Sequence, residues 1–371
     1  MKVHVCAHGR THMRLMLRPP CADWTGRGDI SDVGEVVRVE YVQYGNSGLK
    51  VSKLCWGAMN YYERVSEAEA IASVHKAIDQ GINFFDTADG YGRGQGEVEL
   101  GKALKGKRDG IVLATKCWVP MYKWPGGRGC SRFHIMRAVE DSLRRLQTDY
   151  IDLYQLHHPD PNTPVEETYS TLDTLVKQGK VRHLGVANHY AWQVAHQLGL
   201  AALRGWEPLI SLQVRYNLLD RVIENETVHF CKRFNIALMT YGPLCGGILT
   251  GKYGRGEPIP EGSRLEVIPM MQDALTDEVF DVLDEVQAMA GRYGIGMNQL
   301  AVKWVISKDY ITTPIIGGSR PEHFDPMYEL FDIEIHDDDI ARLDEVTYRF
   351  RFQEFANQPK VEGGAISLNR W

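Results

Sequence analysis

Four side chains in this 371-residue sequence have types that together could deliver a proton to a substrate oxygen. Asp86 and Tyr91 lie in FFDTADGYG, Lys116 ends LATK, and His157 lies in DLYQLHH. A phenol with an ordinary pKa of about 10 is a weak acid at neutral pH, but an adjacent ammonium group stabilises its phenolate. We therefore expect Lys116 to lower the pKa of Tyr91, which would act as a general acid.

The other two side chains have supporting roles in this hypothesis. Asp86 would keep Lys116 charged and oriented, and His157 would hydrogen-bond the oxygen that is protonated. Each residue also has a structural interpretation, such as a helix cap for Asp86 or a core position for His157. The functional interpretation is favoured because the structural interpretation would require an independent coincidence at each of the four positions.

Eight short β-rich runs, separated by amphipathic helical segments, must position these residues. The runs span residues 53–56, 83–86, 111–115, 151–156, 183–187, 210–214, 237–241 and 313–317. Between them lie helical stripes such as Ile135, Val139, Leu143 and Leu146. The alternation predicts the α/β class and a single-domain (β/α)8 TIM barrel with a parallel sheet. Its site should lie where the carboxyl ends of the strands meet, which we call the mouth.

The predicted barrel domain spans residues 41–350. Residues 1–40 form an N-terminal extension without a helical or strand period, which we expect to be a disordered tail or to follow from a wrong start codon. A transit-like role is the alternative. Residues 351–371 form a C-terminal tail.

Composition excludes several classes of partner. The 42 basic and 48 acidic residues give a net charge of −6, so no basic surface for nucleic acid is predicted. No apolar run approaches a membrane span of about 20 residues, and no secretion signal begins the chain. Seven scattered cysteines lack a CxxC pair, so no disulfide framework is expected. We expect a soluble cytoplasmic protein with a small-molecule partner; its oligomeric state is not predicted.

Several common motifs are absent from the sequence. The glycines at positions 90, 92, 94 and 96 have the wrong spacing for GxGxxG, and Ala103 stands where a P-loop needs Ser or Thr. There is no HExxH, and the adjacent His157 and His158 are expected on opposite faces of a strand. No metal site is therefore predicted.

From about Tyr41 to about Leu343 the sequence resembles the aldo-keto reductase family. The resembling stretches are QYGNSGLKVSKLCWGAMN, GINFFDTADGYG, DSLRRLQTDYIDLYQLHHPD, GKVRHLGVANH, LQVRYNLL, TYGPLCGGILTGKY and PIIGGSRPEH. By this resemblance, Asp86, Tyr91, Lys116 and His157 fall on the family's catalytic tetrad. Tyr91 would be the acid, and hydride would come from C4 of a nicotinamide.

The same resemblance implies an NADPH site. Asn188 and Gln213 would bind the carboxamide, Tyr241 would stack on the nicotinamide, and Ser319 and Arg320 would hold the 2′-phosphate. The predicted cofactor-binding residues are Gly57, Asn188, Gln213, Tyr241, Gly242, Pro243, Leu244, Gly317, Ser319, Arg320 and His323.

The sequence also departs from the family pattern. Ala187 and Gly242 stand where serines are common, His323 where Gln is frequent, and Pro326 and Met327 where a Glu-Asn pair often contacts the adenine. These departures put the affinity for the cofactor in question. Predicted substrate-pocket residues are the aromatic Tyr61, Tyr62 and Trp118, with Trp124 as a further candidate; such walls suit apolar or ring-bearing carbonyl compounds.

Two other functions fit the same pattern. Potassium-channel β subunits resemble this chain and would make it a redox-sensing binding module, but they carry Asn at the position of His157. The other alternative is an NADP-dependent sugar or polyol dehydrogenase that works in the oxidative direction. The presence of His157 favours catalysis.

Overall fold

A computed structural model describes residues 39–61, 65–318 and 320–352, together with the backbone of two short strands, β11 (Val361–Glu362) and β12 (Ala365–Ile366). Almost all of the predicted N-terminal extension and most of the predicted C-terminal tail lie outside the described residues. The same is true of Tyr62 and Ser319.

An antiparallel hairpin of β1 (Tyr41–Gln43) and β2 (Lys50–Ser52) precedes the barrel. Its turn covers the amino ends of the barrel strands. Tyr44 is fully buried with its ring edge-on to Phe84 at 5.2 Å. Gly45 has φ +55°, and a Cβ there would lie 2.5 Å from the carbonyl oxygen of Ile210, so this close approach requires glycine. This hairpin is not among the elements that the sequence pattern predicts.

Eight parallel strands form a closed barrel in which the last strand pairs with the first. They are β3 (Cys55–Gly57), β4 (Phe84–Asp86), β5 (Val112–Cys117), β6 (Ile151–Leu156), β7 (Val181–Ala187), β8 (Leu209–Arg215), β9 (Ala237–Tyr241) and β10 (Thr313–Ile316). The predicted (β/α)8 barrel is confirmed.

Helices surround the barrel. They are α1 (Glu67–Asp79), α2 (Gln95–Ala103), α3 (Arg132–Leu146), α4 (Val165–Lys177), α5 (Ala191–Arg204), α6 (Thr227–Phe234), α7 (Arg264–Val267), α8 (Asp277–Tyr293), α9 (Met297–Ile306), α10 (Asp325–Tyr328) and α11 (Asp337–Val346). Local signals set their limits. Ser66 and Glu69 form a capping box at the start of α1. In α3 the predicted stripe from Ile135 to Leu146 is buried against the strands. Within the described residues, no helix has the length and apolar character to cross a bilayer.

Alternation along the strands decides what fills the barrel. In β6, Leu153 belongs to the apolar cluster inside the barrel with Phe84 and Val112, whereas Tyr154 belongs to the cluster between strands and helices. The period of two then turns Gln155 inward. The interior is thus apolar near the hairpin and polar towards the mouth.

Candidate active site

Lys116 is the centre of the site. It ends the inward-facing row of β5 and is fully buried. Its Nζ donates to Asp86 Oδ1 at 2.5 Å and to the Thr87 carbonyl oxygen at 2.8 Å, and it lies 3.4 Å from the Tyr91 hydroxyl oxygen. A buried ammonium is tolerated here because a carboxylate and a carbonyl replace its water.

Two amides hold the other oxygen of Asp86. The side chains of Gln155 and Gln213 each donate to Asp86 Oδ2 at 3.0 Å, and Gln213 also donates to Gln155 Oε1 at 3.2 Å. Sequence reasoning missed Gln155. The available signal was the alternation in β6, which turns Gln155 to the same inward side as Leu153.

The structure brings all four predicted catalytic residues together. The rings of Tyr91 and His157 meet edge to face, with centroids 5.8 Å apart, and both side chains remain partly exposed. Tyr91 lies in a 3-10 turn that follows β4, and Lys116 connects it to Asp86. His157 Nδ1 is buried without a partner among the described residues, while the ring as a whole is partly exposed beside Tyr91.

The expected direction of the Tyr91 pKa is not what the structure gives. Loss of hydration around the hydroxyl raises the pKa of Tyr91 more than the Lys116 ammonium lowers it, so the net pKa lies above 10. The prediction counted the charge and omitted the burial. Tyr91 is therefore protonated across the neutral range, and the Lys116 ammonium is the neighbouring group that favours loss of its proton.

Lys116 and His157, the neighbours of Tyr91, each have one dominant protonation state at neutral pH. Burial acts to lower the pKa of Lys116, but Asp86 and Tyr91 outweigh it and raise that pKa above its ordinary value. Burial, with Lys116 and His158 nearby, holds the pKa of His157 well below 6.5. At neutral pH the site thus contains an ammonium and a neutral imidazole.

Asn188 and Tyr241, both predicted to meet the nicotinamide, are hydrogen-bonded to each other. The Tyr241 hydroxyl donates to Asn188 Oδ1 at 2.9 Å, and Asn188 Nδ2 donates to the His157 carbonyl oxygen at 3.0 Å. An amide has two N–H groups and two acceptor positions, so Asn188 keeps one of each for a ligand. Its φ of +58° is one that Asn tolerates better than most residues.

Two of the glycines predicted to bind the cofactor, Gly57 and Gly242, have structural reasons to be glycine. Gly242, where serine is common in the family, has φ +68°, and its carbonyl oxygen accepts from Asn217 Nδ2 at 3.0 Å. A Cβ on Gly57 would lie 2.7 Å from a methyl group of Ile315. A Cβ on Gly317 would make only an ordinary contact, 3.5 Å from the Gly57 carbonyl oxygen. A side chain is therefore excluded at Gly57 but not at Gly317.

Basic side chains lie beyond β10. Arg320 and His323 are exposed, and the His323 amide donates to the Arg320 carbonyl oxygen at 3.2 Å. Burial, followed by the charges of Lys252 and Arg320, lowers the pKa of His323, so all three side chains share one region. Lys252 was not among the predicted residues. This region fits a phosphate group, and with Tyr241 and Asn188 it could hold a nicotinamide dinucleotide.

The two departures at the predicted adenine position have structural roles. Met327 is buried, with 3% of its surface exposed, and packs in the apolar layer outside the strands. The Pro326 carbonyl oxygen accepts from Gln299 Nε2 at 3.0 Å. Met327 therefore contacts the core and is not presented to a ligand.

The predicted substrate residues have different locations. Tyr61 is fully buried in the layer between strands and helices, where its hydroxyl oxygen lies 2.9 Å from Trp56 Nε1 and 3.1 Å from Ser73 Oγ. It does not reach the mouth, because both hydrogen-bond partners hold it in the core. Trp118 lines a cavity of about 460 Å³ next to the site. Trp124 is exposed and stacks on Tyr122.

His157 and His158 are not on opposite faces, contrary to the expectation. Strand β6 ends at Leu156, so the alternation stops before the pair, and the two rings stack with centroids 4.9 Å apart. In the part of the chain that the structure describes, no three His, Cys, Asp or Glu side chains form a group that could hold a metal ion.

Several known proteins are similar to this chain in sequence. The model of the aldo/keto reductase family matches residues 53–347. Aldo-keto reductase YhdN of Bacillus subtilis is 33% identical over 299 residues, covering 79% of this chain and 88% of that protein. Versiconal hemiacetal acetate reductase of Aspergillus parasiticus is 30% identical over 335 residues, covering 83% of this chain and 96% of that protein. A probable voltage-gated potassium channel subunit beta of rice (Oryza sativa subsp. japonica) is 31% identical over 300 residues, covering 76% of this chain and 88% of that protein.

The match to the family model covers all eight barrel strands and every predicted catalytic residue. Together with the barrel and the buried Asp86–Lys116 pair beside Tyr91, it identifies this chain as a member of the aldo/keto reductase family, whose members are oxidoreductases that act on carbonyl compounds.

Proposed function

We propose that this protein reduces an aldehyde or ketone to an alcohol with NADPH, and that Tyr91 supplies the proton. One observation carries the proposal: Lys116 Nζ lies 2.5 Å from Asp86 and 3.4 Å from the Tyr91 hydroxyl oxygen, beside His157. The barrel domain proposed to carry this activity is residues 41–350, and we propose a cytoplasmic location.

The proposed reaction divides the work between cofactor and protein. Bound NADPH would supply a hydride from C4 of the nicotinamide to the carbonyl carbon. The Tyr91 hydroxyl donates its proton to the carbonyl oxygen, which becomes the alcohol oxygen. The Lys116 ammonium stabilises the phenolate that remains on Tyr91, and Asp86 balances that ammonium. His157 is neutral, so it can donate one hydrogen bond to the carbonyl oxygen without competing as an acid.

The preference for NADPH over NADH rests on the cations beyond β10. Arg320 and Lys252 lie close enough to His323 to lower its pKa, and a guanidinium pairs well with phosphate oxygens. We propose that Arg320, with Ser319 beside it in sequence, binds the 2′-phosphate.

One other function has specific support. The similarity to the rice channel subunit fits a module that binds the cofactor and senses its redox state. His157 favours turnover, because its partly exposed ring lies beside Tyr91, where it could hydrogen-bond a substrate oxygen. Oxidation of a sugar or polyol would use the same residues in reverse.

The test is to measure NADPH absorbance with purified protein and a panel of aldehydes and ketones, alongside fluorescence titrations with NADPH and NADH. We expect turnover and tighter binding of NADPH. Tight NADPH binding with no turnover, in either direction, would contradict the reductase proposal and support the redox-sensing module.

A further inference from the structure

A cavity of about 460 Å³ opens between the loops that follow β5 and β6. Its lining residues include Trp118, Arg128, Ser131, Pro159, Asp160 and Thr163. The tetrad does not line this cavity, so its contents are not explained by proton transfer. Its volume is enough for part of a small organic molecule.

Arg128 presents a cation to this cavity. Its guanidinium carbon lies 4.6 Å from the centroid of the Trp118 ring, and none of the described carboxylates forms an ion pair with it. Stacking on an indole holds a guanidinium in one plane and leaves its N–H edge free for a carboxylate or phosphate. The side chain is thus oriented without being neutralised.

The one carboxylate lining the cavity is already occupied. Asp160 accepts hydrogen bonds from the amide of Cys130 at 2.8 Å, the hydroxyl of Thr163 at 2.8 Å and the amide of Asn162 at 3.0 Å. These bonds tie Asp160 to its own loop and to the end of the neighbouring one. These three donors compensate the charge of Asp160, so Arg128 remains available to pair with an anionic ligand.

One further feature favours a negative group. Ser131 caps the 15-residue helix α3, so the positive end of that helix faces the same cavity. The Glu167 carboxylate accepts a hydrogen bond of 2.9 Å from the Arg132 amide at this end of α3. Its negative charge offsets part of the helix dipole. The lining thus offers the Arg128 guanidinium without an ion-pair partner among the described residues, whereas Asp160 accepts three hydrogen bonds.

Aromatic rings connect the cavity to the reacting centre. The Trp118 and His158 centroids lie 5.2 Å apart, His158 stacks on His157 at 4.9 Å, and His157 meets Tyr91 at 5.8 Å. We propose that the cavity binds the anionic group, a carboxylate or a phosphate, of a carbonyl substrate whose carbonyl reaches Tyr91 along these rings. This inference rests on the proposed reductase activity and names its substrate class.

The experiment compares acids with their methyl esters, using the full chain with NADPH. The acids 4-formylbenzoate and 4-formylcinnamate have two different spans between carbonyl and carboxylate. For the better acid we expect a higher kcat/KM than for its ester, and at least a tenfold fall of the acid-to-ester ratio in Arg128→Gln. Arg128→Lys should keep part of the ratio, because it keeps the charge and loses the planar fork. Arg132→Gln is the matched control, since Arg132 points to Ser170 on α4, and it should keep the ratio.

An acid-to-ester ratio that Arg128→Gln leaves unchanged, or esters preferred by the wild type, would overturn the anion site while the reductase stands. Inhibition of ester reduction by benzoate or by phenyl phosphate, lost in Arg128→Gln, would support the site and show which anion it accepts. No turnover of any aldehyde would instead overturn the proposed function. In that case, calorimetric titration with 4-(hydroxymethyl)benzoate tests the anion site independently of turnover. Binding that is weakened at least tenfold in Arg128→Gln supports the site, and equal binding or no binding contradicts it.

Discussion

The two sides of the barrel mouth are built differently. On the side of β4 to β6, Asp86, Lys116 and Gln155 are buried and hydrogen-bonded to one another. On the side of β10, Arg320 and His323 are exposed and meet water. Charges act strongly where water is excluded and weakly where it is not. We therefore expect the first side to control the rate and the stability, and the second to tune which cofactor binds.

The largest effect is expected for Tyr91→Phe, which removes the acid from the buried side. We predict a fall of kcat of roughly 10²- to 10⁴-fold, the usual contribution of a positioned general acid. NADPH should still bind, because the cations beyond β10 are intact. Steady-state kinetics and a fluorescence titration measure the two quantities, and wild-type turnover in this variant would show that another group gives the proton.

Lys116→Met should reduce both activity and stability. It leaves the buried Asp86 carboxylate without its cation, and breaking a buried ion pair costs about 3–5 kcal/mol of unfolding free energy. Urea unfolding and kcat would be measured for this variant and for Lys116→Met with Asp86→Asn. The double variant should regain stability but not activity. Equal instability of the two would mean that packing, not charge, explains the loss.

Acid should destabilise the protein through the histidines of the buried side. Burial lowers the pKa of His158 and of His189 to about 4. The unfolded chain takes up these protons below about pH 6.5 and the folded protein does not, so the unfolding free energy falls as the pH drops from 6.5 towards 4.

His189→Gln should shrink the loss of stability between pH 7 and pH 5 by about 2 kcal/mol. His323→Gln, on the exposed side, is the comparison and should change the pH dependence less, because His323 is exposed whereas His189 is buried. Denaturant titrations at both pH values give the answer. The same slope for His189→Gln and the wild type would show that His189 is not neutral in the folded protein.

The smallest effect is expected on the exposed side. Arg320→Ala should lower the preference for NADPH over NADH by about tenfold, close to 1.4 kcal/mol, the low end for a charge-assisted hydrogen bond. The ratio of kcat/KM for the two cofactors measures it, and kcat with saturating NADPH should stay near that of the wild type. Unchanged selectivity would assign the 2′-phosphate to another group, for which Lys252 is the first candidate.

The sequence alone was enough to predict the barrel and the proximity of the four predicted catalytic residues. Alternating β-rich runs and helical stripes are local patterns, and the rule that parallel strands end at one mouth brings Asp86, Lys116 and His157 together without further information. The hairpin β1–β2 was missed because two three-residue strands carry too little pattern. Gln155 was missed because an inward-facing polar residue is informative only once its partner across the barrel is known.

Other properties depended on the tertiary structure, because they are sums over many neighbours. The pKa of Tyr91 is set by burial against the charge of Lys116, and the balance cannot be counted from residue types. Tyr61 and Trp118 are both aromatic residues that closely follow strand ends, yet one is held in the core by Trp56 and Ser73 and the other lines the cavity. The sequence determined which groups the mouth contains, since the succession of strands along the chain and the alternation of side chains within each strand are local patterns. The structure decided which of them lose water, because hydration depends on everything packed around a group.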